Sequence, residues 1–275
     1  MAAQAALLAG GMATFCTTAY IGYMSFGGGA PVRVPKDFTF PDEKERLKTF
    51  NNLARKWDST VRFDEMMLGM GRWRRRLCAE ASGDCLEIAV GTGRNFSFYN
   101  AGKVTSLTGV DFARTMLEVA LDKKKYLDPI PLKLHHANAA NLHFAEDNTF
   151  DTVLDTFGIC SFEEPVKALR EVRRVVKPDG QVLLLEHGNA SWEYVRRMLK
   201  AQLPGHVSKF GCYCNRDISK LVEEAGFQIL EKNTKHFGTT VHIVAKKLPE
   251  DEYQQLLAEE RRRAAEADQI IQGEG

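Results

Sequence analysis

Short β-rich apolar runs recur along the middle of the chain with helical stretches between them. Cys85–Val90, Ser106–Asp111, Leu132–Asn138, Phe150–Thr156 and Gln181–His187 read as strands. Arg94–Ala101, Ala113–Lys125, Glu164–Val176 and Arg216–Ala225 carry apolar residues at helical spacing. That alternation predicts a parallel α/β sheet covered by helices. Lys177-Pro178-Asp179-Gly180 stops one helix and turns into the next strand. Two further runs, Gln228–His236 and Thr239–Lys246, are separated only by Phe237-Gly238, so they must form an antiparallel hairpin. The expected architecture is a doubly wound, seven-stranded α/β sheet with an antiparallel C-terminal hairpin. A helical region from Pro41 to Ala81 precedes the first strand and is placed to cap a ligand crevice.

The ends follow other patterns. Ala5 to Met24 is a 20-residue stretch without a charge, and the first charged residue is Arg33. As a helix it would reach roughly 30 Å, the thickness of a bilayer's hydrocarbon. A secretory signal would carry a basic n-region and a transit peptide would be Arg-rich, and neither feature is present. A membrane helix fits best, with Tyr20 and Tyr23 near one interface and Arg33 and Lys36 beyond it, on the cytoplasmic or matrix side. The plainer alternative is a disordered or cleaved leader. Gly27-Gly28-Gly29 with Pro31, Pro35 and Pro41 makes an extended linker. From Pro249 to Gly275 the chain is dense in charge and reads as an exposed helix with Arg261-Arg262-Arg263 on a solvated face. The expected division is 1–40 anchor and linker, 41–248 a single domain with its helical cap, and 249–275 a charged tail.

Composition narrows the function classes. Lys plus Arg (37) balances Asp plus Glu (36), so no global charge calls for nucleic acid. The one dense basic cluster near the fold, Arg72 with Arg74-Arg75-Arg76 around Trp73, suits lipid headgroups or RNA phosphate; a solvated helix face is the commoner outcome. Six cysteines are too few and too irregularly placed for a disulfide framework. Cys212 and Cys214 form a C-x-C, which is not zinc spacing. His135 and His136 point to opposite faces of one strand, so with His143 they make no metal site. No metal ligand is assigned.

The candidate chemistry starts at the end of the first strand, in Leu86-Glu87-Ile88-Ala89-Val90-Gly91-Thr92-Gly93. Gly91 and Gly93 permit a sharp turn and let a ligand lie against bare backbone. A nicotinamide fingerprint would place a third glycine where Phe96 stands, which argues against that cofactor. Asp111 ends the second strand, in the place of an acid that binds ribose hydroxyls; it also fits as the N-cap of the helix that follows.

Glycine loop, second-strand acid and C-terminal hairpin together resemble the class I S-adenosylmethionine-dependent methyltransferases, from about Phe50 to Lys247. The resemblance rests on LEIAVGTGRN, LTGVDFARTML, FDTVLDTFGICSF and LREVRRVVKPDGQVLLLEHG. Within that superfamily the chain looks most like the ubiquinone-biosynthesis type. It is similar above all to membrane-anchored methyltransferase-like proteins of mitochondria, themselves related to thiol S-methyltransferases of the endoplasmic reticulum. FNNLARKWDSTVRFDEMMLGMGRWRRRL, GCYCNRDISKLVEEAGF and HFGTT carry that closer likeness.

The resemblance implies S-adenosylmethionine as cofactor, with Glu87, Gly91 and Gly93 toward its methionine and ribose. It puts Asp111 on the ribose hydroxyls, Phe112 against the adenine, Asn138 near the adenine amino group, and Thr156 with Phe157 along the cleft. Ala89 stands where the family often has a glycine, and its methyl would crowd the cofactor. Asp155-Thr156-Phe157-Gly158 lacks the prolines of base N-methylating enzymes, which disfavours an exocyclic base amine as acceptor. His187, at the end of the fifth strand, is the candidate general base, with a structural histidine as the alternative. Cys212, Tyr213 and Arg216 are candidates for the border of the acceptor pocket.

The leading expectation is a methyltransferase tethered to the inner mitochondrial membrane and facing the matrix, acting on a lipophilic small molecule or a thiol. The endoplasmic-reticulum membrane is the alternative location. The rival function is a methyltransferase-like assembly or structural factor of a membrane or ribosomal complex, with a protein or RNA partner.

Overall fold

A computed structural model describes residues 39–273. The uncharged stretch 5–24 and the glycine-rich linker lie outside those residues. Among the described residues, no helix is long and apolar enough to cross a membrane.

Asp42 opens the first helix, α1 (Glu43–Met67), through a reciprocal cap. Its carboxylate accepts from the Glu45 N–H at 2.8 Å, and the Glu45 carboxylate accepts from the Asp42 N–H at 3.2 Å. Gly69, at φ +65°, turns the chain into α2 (Met70–Glu80). Then come β1 (Gly83–Ile88), β2 (Val104–Asp111), α3 (Arg114–Asp122), β3 (Leu132–His136) and β4 (Phe150–Thr156). After them follow α4 (Pro165–Val175), β5 (Val176–His187), α5 (Glu193–Phe210), α6 (Ile218–Glu224), β6 (Phe227–Lys235), β7 (Thr240–Lys247) and α7 (Glu250–Gly273).

The seven strands form one sheet in the order β3-β2-β1-β4-β5-β7-β6, with β7 antiparallel to both neighbours and every other pairing parallel. Both faces are covered. Val153 and Leu184 point into a layer completed by Ala168, Leu169 and Val172 of α4 and Val222 of α6. Leu154 and Leu183 point the other way, onto Leu77 and Cys78 of α2 and Leu117 of α3. The order reverses direction between β1 and β4, the switch point outside whose strand ends such folds bind ligands.

Three local expectations are corrected, and one helix is added. Arg94–Ala101 is not an α-helix; it is a tight turn and one 3-10 turn, Phe96–Phe98. Asn95 and Tyr99 are drawn inward to one buried carboxylate, and that pull overrides the helical spacing. Lys177–Gly180 ends the helix as expected but stays within β5 as a bulge. The register steps from Phe150↔Val176 to Thr152↔Gln181, and Lys177 pairs with Asp151 at 2.6 Å. The hairpin loop is wider than two residues: His236, Phe237 and Gly238 all take positive φ before Thr239. Finally, α5 was not foreseen, because Pro204 sits inside it and interrupts the helical reading.

Candidate functional site

The C-terminal ends of β1, β2 and β4 border a cavity of about 400 Å³, roofed by α1 and walled on its far side by α5. Its floor is the turn after β1. Ala89, Gly91 and Gly93 all hold positive φ (+47°, +55° and +72°), so the backbone folds back and shows its N–H groups to the strand ends. A side-chain carbon at Gly91 would meet only the Ala89 carbonyl, at 3.8 Å, whereas one at Gly93 would strike the buried Phe96 ring at 2.6 Å. Gly91 thus borders open space and Gly93 is a packing necessity. Ala89, in the left-handed turn, lines the cavity with its methyl close to Gly158.

Asp111 is locked beside that turn. Oδ2 accepts from the Gly91 N–H at 2.8 Å and Oδ1 from the Ala113 N–H at 2.7 Å. Each oxygen keeps a lone pair for a ligand hydroxyl. Burial pushes this carboxyl up to about 6. Phe112 lies against His136, whose Nε2 is 3.1 Å from the Phe112 carbonyl, and the Asn138 Oδ1 accepts from the Ala140 N–H. Both residues line the cavity with Asp111, Gly91 and Thr156.

Glu87 lines the cavity but is almost wholly enclosed. It is 1% exposed, and both its oxygens are occupied, Oε1 by Asn95 Nδ2 at 2.8 Å and Oε2 by the Tyr99 hydroxyl at 2.7 Å. It underpins the turn from below. Burial pushes its carboxyl up to about 7, despite those two donors and the Arg74 charge.

Arg74 is the residue that sequence reasoning placed wrongly. It does not belong to a solvated basic face: it is 5% exposed and enters the site between α1 and the turn. Its Nη1 donates to Asn95 Oδ1 at 2.9 Å and to Thr156 Oγ1 at 3.0 Å, and its Nη2 donates to Glu65 Oε1 at 2.8 Å. Arg94 also donates to Glu65, whose carboxyl is held below its ordinary value by the two guanidiniums against the opposing effect of burial. Asp58 of α1 adds a second stitch, accepting from the Thr92 hydroxyl at 2.6 Å and pairing with Arg94 and Lys123. The rest of the basic cluster is dispersed. Arg75 lies over Phe98, and Arg76 pairs with Glu80 and Glu231.

Leu47, Phe50 and Trp57 of α1 pack with Ala113 and Met116 beside Asp111, whereas the α5 side of the cavity is apolar, with Leu199, Phe210 and Cys214. His187 reaches its edge with its ring 4.6 Å from Phe157 and Nδ1 at 3.4 Å from Cys160 Sγ and 3.3 Å from Cys212 Sγ. His206 lies edge-on to His187 and is held neutral by burial, its basicity lowered to about 3. Behind them Asp155 and Glu186 are fully buried side by side. Asp155 Oδ2 and Glu186 Oε1 accept from the Ile159 N–H, while Asp155 Oδ1 and Glu186 Oε2 find no partner. Burial and mutual repulsion raise Asp155 well above the usual carboxylate range, and burial lifts Glu186 to about 8. Both carboxyls are thus biased toward the protonated form.

Of the residues singled out from sequence, Glu87, Gly91, Asp111, Phe112, Asn138, Thr156, Phe157 and Cys212 border one cavity, and His187 lies toward its apolar end. Gly93 supports the turn. Tyr213 and Arg216 instead clamp structure, Tyr213 under Arg46 of α1 and Arg216 on the Ile159 and Phe162 carbonyls. The three histidines 135, 136 and 143 do not converge: His135 stacks on Phe144 at 3.9 Å and His136 faces Phe112. The roles of Arg74, Asn95, Tyr99 and the Asp155–Glu186 pair had no signal in the sequence, because each depends on a partner that only the folded chain brings near.

A family model described as a methyltransferase domain matches residues 86–184. The mitochondrial methyltransferase OMS1 of Saccharomyces cerevisiae is 28% identical over 221 residues, which cover 74% of this chain and 46% of that protein. The chain thus spans about half the length of that relative. The demethylmenaquinone methyltransferase of Staphylococcus haemolyticus is 29% identical over 62% of this chain and 72% of its own. Among solved structures, the DhpI–SAH complex superposes with a TM-score of 0.57 at 17% identity, covering 75% of this chain and 97% of that one. A SAM-dependent methyltransferase of Leishmania major gives 0.57 at 13% identity, over 74% and 82% of the two chains.

Proposed function

Since the chain belongs to the class I S-adenosylmethionine-dependent methyltransferases, with S-adenosylmethionine as its cofactor, we propose that it transfers the sulfonium methyl to a lipophilic small molecule held in the apolar half of the cavity. The observation that carries this reading is one continuous cavity with two unlike ends. A backbone turn and the Asp111 carboxylate form one end, and Leu199, Phe210, Cys212 and Cys214 form the other. Asp111 would accept from the ribose hydroxyls, Phe112 would cover the adenine and Asn138 would face its amino group. Gly91 leaves room for the methionine side, and Thr156, held by Arg74 and Asn95, shapes the cleft beside it.

The cofactor supplies an electrophilic methyl that leaves by in-line displacement. What the chain contributes is alignment and exclusion of water by α1 over the cavity. An acceptor that must lose a proton would find His187 at the apolar end, with the neutral His206 beside it. Tethering through the stretch 5–24 to the inner mitochondrial membrane, with the domain in the matrix, would bring the apolar end near lipid-soluble acceptors. The uncharged run and the mitochondrial relative support that location; carbonate extraction and protease protection of isolated mitochondria test it.

Calorimetric titration of the protein with S-adenosylmethionine tests the cofactor end. One site per chain is expected, with affinity strongly reduced in Asp111→Ala. A protein that binds none would be a methyltransferase-like structural factor. Comparison of methylated lipid-soluble metabolites with and without the protein then identifies the acceptor.

A further inference from the structure

Cys160, His187 and Cys212 come from three separate places: the turn after β4, the end of β5 and the loop after α5. Their donor atoms nevertheless form a small triangle. The two sulfurs are 3.0 Å apart, and His187 Nδ1 lies 3.4 and 3.3 Å from them. From this convergence we propose that the three residues form a binding site for a zinc-type divalent ion, outside the cofactor end of the cavity. The inference does not rest on methyl transfer.

Four observations carry it. First, the geometry fits. Around a tetrahedral zinc with Zn–S of about 2.3 Å and Zn–N of about 2.0–2.1 Å, donor atoms are separated by roughly 3.5–3.8 Å. The two imidazole edges already match to within a few tenths of an ångström, and only the sulfurs must part. A disulfide would use the two sulfurs alone and leave the equidistant imidazole unexplained. Second, two thiolates and an imidazole are the donor set that selects zinc over calcium or magnesium.

Third, the site is pre-built rather than a chance meeting of side chains. The Tyr213 N–H donates to the Cys160 carbonyl at 2.9 Å, and Arg216 Nη1 donates to the Ile159 and Phe162 carbonyls at 2.8 and 2.7 Å. Those bonds staple the Cys212 loop to the Cys160 turn. The same turn is anchored from below by the Ile159 N–H on Asp155 and Glu186. Fourth, Glu186 is fully buried, and its Oε2 has no hydrogen-bond partner. Glu186 adjoins His187 in the chain and accepts from the Ile159 N–H next to Cys160, so it is a ready supporting partner for the site.

His187 and Cys212 line the cavity, whereas Cys160 lies behind them. A fourth ligand would therefore enter from the cavity, as water or as a donor atom of the acceptor. On binding, the two S–H protons pass to solvent and both sulfurs ligate as thiolates. His187 then positions the ion through Nδ1 and is no free base at that atom.

The test uses the full chain, reduced and stripped of metal, without cofactor or acceptor, so its result is separable from that of the methyltransferase reading. Zn²⁺ titrated against a chromophoric chelator should bind one to one. Co²⁺ should give the near-ultraviolet band of thiolate-to-cobalt charge transfer. Cys160→Ser, Cys212→Ser and His187→Gln should each weaken Zn²⁺ by more than the roughly 10–100-fold that loss of a supporting hydrogen bond costs. Cys78→Ala, a buried thiol in the other core layer, should leave binding unchanged. Far-ultraviolet circular dichroism checks that each variant folds, and the Co²⁺ band needs no variant at all. Absence of stoichiometric Zn²⁺ uptake by the reduced wild type, a Co²⁺ spectrum without the thiolate band, or uptake that survives Cys212→Ser would each overturn the site.

Discussion

Gly91 and Gly93 are two residues apart and both hold positive φ, yet they should respond differently to the same added methyl. In Gly91→Ala the new carbon meets nothing closer than 3.8 Å, so only the left-handed backbone counts against it, at about 1–2 kcal/mol. In Gly93→Ala the same backbone term is joined by a clash at 2.6 Å with Phe96, a ring 1% exposed that cannot retreat. Overpacking of that kind adds about 1–3 kcal/mol, for a total of roughly 2–5 kcal/mol. Set against a typical stability of about 5–15 kcal/mol, the first variant should fold well and the second should be marginal. Ligand binding should rank them in reverse. The Gly91→Ala methyl projects into the open floor of the cavity and should abolish S-adenosylmethionine binding in a protein of near-normal stability. Urea unfolding midpoints and calorimetric titration read the two effects separately. Equal destabilisation by the two substitutions, or undiminished cofactor affinity in Gly91→Ala, would refute the account of the turn.

Other expectations follow from the buried charges. Arg74→Met should destabilise the fold by about 3–5 kcal/mol, the cost of breaking a buried pair, because Asn95, Thr156 and Glu65 all lose a donor; chemical denaturation measures it. The Glu87 carboxyl is raised from 4.5 to about 7 on folding, so its contribution is intact below about pH 4.5 and is lost as pH rises through about 7. The difference amounts to about 3 kcal/mol, and Glu87→Gln should flatten the fall in unfolding free energy between pH 5 and 7.5 by a comparable amount. Asp111 must be ionised to accept from two hydroxyls. Cofactor affinity should therefore fall as pH is lowered through about 6, and Asp111→Asn should bind weakly with no such dependence in a calorimetric pH series.

The strands were readable because burial on both faces demands continuous apolar runs, and β4 was bounded to the residue, at Phe150–Thr156. The glycine turn and Asp111 were readable because their chemistry lies within 20 or so residues of chain. The failures share a cause, which is that buried polar partners met only on folding override local pattern. Asn95 and Tyr99 leave the helical path to reach Glu87, and Arg74 leaves a run of four basic residues to fill a buried gap between α1 and Thr156. Cys160 and Cys212 are 52 positions apart, and His187 lies between them in sequence, so spacing rules for metal ligands had nothing to register. Helix α5 was lost for a local reason, its internal Pro204.

Glu65 belongs to α1 but is bonded to Arg74 of α2 and Arg94 of the turn, and Asp58 joins the same helix to Thr92. Roof and floor of the cavity are thus fastened by the same few carboxylates. Amide protons in α1 and in residues 91–95 should consequently open to exchange as one cooperative unit. Loosening of these ion pairs would then set how readily a bound ligand departs.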